Sequence, residues 1–171
     1  MEAAELRALQ APLKDRYRED PASALTPLNA VGRIGSSGVT FDVDQFAGTS
    51  RAGLHRATGG DGSDACSGDM LLEALLACAG VTLHSVATSM GLDLRSVTGS
   101  VSGAFDARGT LGLDRSVPVG VQDVVVSFAV DSDADDGALE RLATATERYC
   151  VVGQSLAQPP RIEVGRADVS R

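Results

Sequence analysis

From Ser67 to Met90 the chain carries no proline, and that run constrains its fold more than any other feature. Apolar side chains at Met70, Leu71, Leu72, Leu75, Leu76, Val81, Leu83 and Val86 cover nearly the whole circumference of a helical wheel. Ser67 suits an N-cap, Asp69 suits the positive helix start, and Gly91 suits the stop. The pattern predicts one helix over 67–90. A helix that is apolar all round is buried all round. A chain of 171 residues has little material to wrap such a helix, so a homodimer that shares it is expected.

The remaining segments are read against this helix. Leu6, Leu9 and Leu13 predict a short amphipathic helix over 3–18, kinked or broken near Pro12 and ending before Pro21. Such a narrow stripe docks on the domain or on a partner subunit. Strands are expected over 28–34 and 39–43, joined by the GSSG turn, and over 50–56. The stretch 57–65, ATGGDGSDA, reads as a loop; no G-K-[ST] follows it, so it is an ordinary turn rather than a phosphate cradle. Beyond the long helix come strands over 96–107 and 121–131, the second alternating at Val124, Val126, Phe128 and Val130. A helix over 134–149, a turn and a short strand over 162–164 close the chain. The order is α+β without βαβ alternation. Two parts are expected: an N-terminal helical extension over 1–25 and a single domain over 26–171.

Charge and composition exclude several classes. The net charge of −8 weighs against nucleic acid and against an anionic membrane surface. The most apolar stretch, Met70 to Leu83, is interrupted by Glu73 and falls short of a membrane span. The acidic start MEAAELRALQ lacks the basic and apolar regions of a secretion signal, so a cytoplasmic protein is expected. The three cysteines are then free thiols by default.

Which of those thiols could do chemistry? Cys78, in ALLACAGVTL, lies mid-helix, where a cysteine is by default a small apolar core residue. Reactivity there requires a lowered pKa, and its own helix start is too far away to supply it, so an arginine from elsewhere is expected. Cys150 lies at a helix end beside Gly153 and the prolines at 159–160. That short adjustable turn suits a thiol that must reach another sulfur. Cys66, before the helix cap, stands roughly 18 Å from Cys78 along one helix, too far for a disulfide. No C-x-x-C or H-x-x-x-H pair points to zinc, and no metal or cofactor is expected. His84 points roughly 120° away from Cys78 around the helix, which disfavours a Cys–His hydrolase.

GSDACSGDMLLEALLACAGVTLHSVATSMGLDL, GTLGLDRSVPVG and the closing ERYCVVGQSLAQPPRIEV together resemble the OsmC/Ohr family of osmotically induced and organic hydroperoxide resistance proteins, in its OsmC-like branch. The resemblance runs from about residue 28 to 165. It implies a swapped homodimer with antiparallel sheets wrapped around long central helices. It also implies a peroxidase in which Cys78 is oxidised by an organic hydroperoxide to a sulfenic acid and closes a disulfide with Cys150. A dithiol such as lipoamide would return the electrons, with no bound redox cofactor. The family's activating arginine corresponds to Arg33 in its Ohr-type place or Arg56 in its OsmC-type place, with Arg51 a third possibility and Arg33 slightly preferred. Where the family carries Pro and Glu before the long helix, this chain has Ser67, Gly68 and Asp69, and Asp69 takes the place of the carboxylate. Two other readings of the same fold are a non-catalytic module binding a small apolar ligand at the dimer interface, and a redox sensor.

Overall fold

The computed structural model describes residues 1–167. Contacts divide the chain into two compact units, one of Met1–Pro27, Leu75–Val101 and Val125–Arg171, the other of Leu28–Ala74 and Ser102–Val124. The elements run α1 (Ala3–Glu19), β1 (Val31–Ile34), β2 (Thr40–Gln45), β3 (Gly48–Gly53), β4 (Ala65–Cys66) and α2 (Ser67–Met90). Then follow β5 (Ser96–Ala104), α3 (Ala107–Thr110), β6 (Gln122–Asp131), α4 (Asp136–Tyr149), α5 (Val151–Gln154) and β7 (Arg161–Arg166). This is an α+β chain with two sheets, ordered β1-β2-β3-β4 and β5-β6-β7.

The long helix has the expected bounds. Gly91 ends it at φ +70, a conformation that costs a side-chain-bearing residue energy, and Leu92 N–H closes on the Ala87 carbonyl at 2.9 Å. Of the all-round burial expected for it in a homodimer, the single chain supplies one side. Within this chain only Leu75, Ala79, Leu83 and Ala87 are buried, one stripe at i, i+4 spacing, while Val81 is 74% exposed. By length and composition α2 could also cross a membrane, which corrects the reading that its apolar stretch is too short. Core helices of soluble proteins meet the same test.

In the unit that holds this stripe, the core also takes Val126, Phe128 and Val130 from β6, Leu139 and Leu142 from α4, and Ile162 from β7. The alternation along β6 is the expected one. Strands β6 and β7 run parallel, Val126 opposite Ile162, and α4 packs on β7. A parallel pair needs a crossover, and α4 supplies it. A βαβ unit thus closes the chain, where the element order was read as lacking βαβ alternation and the resemblance implied antiparallel sheets. Asp135 caps α4 by accepting from Ala138 N–H at 2.7 Å. Arg95 binds Asp131 at 3.0 Å and Asp133 at 2.9 Å, fastening the start of β5 to the end of β6.

In the other unit β1, β2 and β3 form an antiparallel meander, and β4 joins β3 in parallel, so this sheet is mixed as well. In the first unit α1, expected to kink or break near Pro12, runs unbroken through it and ends at Glu19, before Pro21 as expected. It buries no residue, so the carbonyl that Pro12 cannot bond is open to water.

Candidate active site

Cys78 stands mid-way along α2 and is half-buried. Cys150 is both the C-cap of α4 and the N-cap of α5, fully buried, with its Sγ accepting from Gly153 N–H at 3.4 Å. A side chain at Gly153 would stand 3.3 Å from Pro160 Cγ and 3.4 Å from Cys150 Sγ, so the bare glycine lets the proline close over the thiol. Both cysteines belong to the same compact unit, near enough for each to shift the other's ionisation. Cys66, Cys78 and Cys150 are all free thiols.

The surroundings treat the two thiols oppositely. Burial pushes Cys78 up, but Val152 N–H, the Cys150 thiol, Val151 N–H and the Thr82 hydroxyl all donate toward its sulfur. The balance leaves Cys78 below the ordinary thiol value. Burial also pushes Cys150 up, Gly153 N–H opposes this, and the neighbouring Cys78 sulfur adds to the rise, leaving Cys150 above the ordinary value. The two directions make Cys78 the more readily ionised thiol of the pair.

None of the groups named at Cys78 is an arginine. Arg33, Arg56 and Asp69 lie in the other unit. There Arg33 pairs with Asp44 across β1 and β2 at 3.2 Å, and Arg51 pairs with Asp64 at 2.9 Å. Arg56 opens an exposed helical turn, where it lies against Gly62, and Asp69 is exposed in the first turn of α2. Sequence reasoning sought the polar support of Cys78 in a cation and overlooked the uncharged donors. Thr82 was visible as the residue one turn beyond Cys78. The N–H groups of Val151 and Val152 depend on α5, four residues too short to show any periodicity.

An apolar cavity of about 450 Å³ opens elsewhere in the same unit, lined by Leu76, Gly80, Leu83, Val97 and Phe128, with His84 also on its wall. Among the described residues no group of three or more His, Cys, Asp or Glu side chains could hold a metal ion.

Fold and site together define an α+β protein with a paired-thiol site on its long helix. The chain belongs to the OsmC-like protein family, whose model matches residues 60–165. No curated protein matches it in sequence. Among solved structures, an OsmC-like protein from Mycoplasma pneumoniae is similar at 12% identity and a TM-score of 0.63, covering 83% of this chain and 96% of that one. An organic hydroperoxide resistance protein OsmC from Legionella pneumophila, also described as a predicted redox protein, is 13% identical with a TM-score of 0.60, over 84% and 99%. An organic hydroperoxide resistance protein from Elizabethkingia anophelis is 13% identical with a TM-score of 0.62, over 84% and 98%. At these identities the likeness is one of fold.

Proposed function

We propose that the chain is a thiol peroxidase that reduces organic hydroperoxides, acting as a cytoplasmic homodimer with a dithiol as electron donor. The observation that carries this reading is the placing of Cys78, whose thiol is drawn below the ordinary value, beside the buried Cys150, whose thiol is pushed above it. The names of the Legionella and Elizabethkingia neighbours support the substrate class. The Cys78 thiolate attacks the terminal peroxide oxygen. An S–O bond forms as the O–O bond breaks, and the alkoxide takes a proton from solvent and leaves as the alcohol. Sulfur has lost two electrons and the peroxide has gained two. Cys150 then attacks the sulfenic sulfur; the S–S bond forms, and hydroxide departs with the Cys150 proton as water. A dithiol reduces this disulfide by exchange and becomes a disulfide itself. Arg33 or Arg56 would meet the charge that develops on the peroxide oxygen.

Turnover of an alkyl hydroperoxide by cysteine variants tests the reading. Cys78→Ser abolishes turnover, while Cys150→Ser completes one round of sulfenic acid formation and then stops. An active Cys78→Ser variant would overturn the assignment. The apolar cavity favours a second reading, a non-catalytic module for a small apolar ligand. Wild-type protein that consumes no hydroperoxide would select it.

A further inference from the structure

The apolar cavity of about 450 Å³ lies on the far side of α2 from the thiols. Leu76 and Gly80 line it, each two residues from Cys78, and at about 100° per residue they point away from that sulfur. The cavity is therefore no part of the paired-thiol site. It is kept open by a glycine that packing does not require. A Cβ at Gly80 would stand 3.9 Å from Phe128 Cε1, an ordinary contact, and glycine within a helix costs stability. At Gly99, by contrast, a Cβ would come within 2.7 Å of the same ring atom, so the close approach there needs the glycine. Gly80 leaves space beside Phe128 that the chain itself does not use.

A second cavity, of about 540 Å³ and largely polar, adjoins the first, with His84 and Leu94 on both walls. It lies at the C-terminal end of α2, beside Thr88, Gly91 and Asp93, and Glu2, the N-cap of α1, is also on its wall. A helix C-terminus carries partial negative charge, and α2 has no basic residue in its last turn to answer it. Asp93 and Glu2 add two carboxylates; even with the Met1 amino group counted against them, the wall is anionic. The positive end of α1 is met by its own Glu5. Arg95, two residues beyond Asp93, is taken up by Asp131 and Asp133.

We propose that the two cavities form one binding site for a small amphipathic amine, with its apolar part beside Gly80 and Phe128 and its ammonium group at the end of α2. The apolar space takes the body of the ligand, and the negative helix end with Asp93 and Glu2 selects the charge of its head. The site rests on neither reading of the thiols, since it needs no chemistry at Cys78.

Hexylamine, hexanol and hexanoate share one alkyl chain and differ in the charge of the head. The full chain is titrated with each at about pH 8, where an ordinary imidazole is neutral, and binding is followed by amide NMR shifts. Hexylamine is expected to bind with shifts at Gly80, His84 and Leu94. The helix end and the exposed carboxylates contribute a few-fold each, so hexylamine binds about tenfold more tightly than hexanoate, with hexanol between them. Gly80→Leu fills the apolar cavity while favouring the helix, and weakens hexylamine and hexanol alike by about tenfold or more. Asp93→Asn weakens hexylamine about threefold and leaves hexanol unchanged. Wild-type protein that binds no hexylamine at millimolar concentration, or binds it with shifts elsewhere, overturns the proposal. Equal binding of hexylamine and hexanoate overturns the ammonium site, and unchanged binding in Gly80→Leu overturns the cavity as the seat of the alkyl chain. The comparison of the three ligands uses wild-type protein, so it decides the proposal even where a variant fails to fold. Hydroperoxide consumption enters none of these readouts, so the peroxidase reading can fail while the amine site stands, and the reverse.

Discussion

Val81 and Leu83 lie two residues apart on α2, and together they test whether a second copy covers this helix. In the single chain the Leu83 side chain is fully buried while Val81 is 74% exposed. If the chain works alone, Val81→Asp replaces one solvated side chain by another and costs only a few tenths of a kcal/mol in helix propensity. If a second copy covers α2, each Val81 contributes about 2 kcal/mol of apolar burial to association, about 4 kcal/mol for a symmetric pair. That is about a thousandfold in the dimer dissociation constant before any cost of desolvating the new carboxylates. Leu83→Ala serves as the control, since it empties core space and costs about 2–5 kcal/mol of folding stability in either case. Sedimentation velocity across micromolar concentrations reads the first variant and urea denaturation reads the second. The expected result is a dimeric wild type and a monomeric, folded Val81→Asp. A wild type that sediments as a monomer, or a Val81→Asp variant that stays dimeric, refutes the covering of α2 by a second copy at this residue.

Two further outcomes are expected. Cys66→Ser leaves peroxide turnover close to wild type, read by the same consumption assay, because Cys66 takes no part in the Cys78–Cys150 pair. Of Arg33→Gln and Arg56→Gln, one slows peroxide consumption and raises the pH midpoint of Cys78 alkylation. If neither does, the uncharged donors suffice for the thiolate and the electrostatic part of the mechanism fails.

Much of the fold was legible, for identifiable reasons. The 67–90 helix had a cap, a stop and an uninterrupted apolar run, and β6 showed its alternation at Val126, Phe128 and Val130. Its one-sided burial was not legible, because a pattern that is apolar on every side does not say which side this chain itself covers. The direction of β7 was hidden too. A strand of six residues with Ile162 as its buried apolar residue carries no mark of parallel or antiparallel pairing. At the site, each cysteine drew attention by its position, but their meeting came from family resemblance and not from spacing. The donors were the least legible part. Backbone N–H groups have no residue identity.

The central claim is that Cys78 and Cys150 form one redox pair. Its most direct test is to treat the reduced protein with one equivalent of cumene hydroperoxide and map the disulfides by peptide mass spectrometry. The expected result is a single intrachain Cys78–Cys150 disulfide, formed with loss of two free thiols and reversed by dihydrolipoamide. A protein that keeps all three thiols, or that links Cys66 instead, contradicts it.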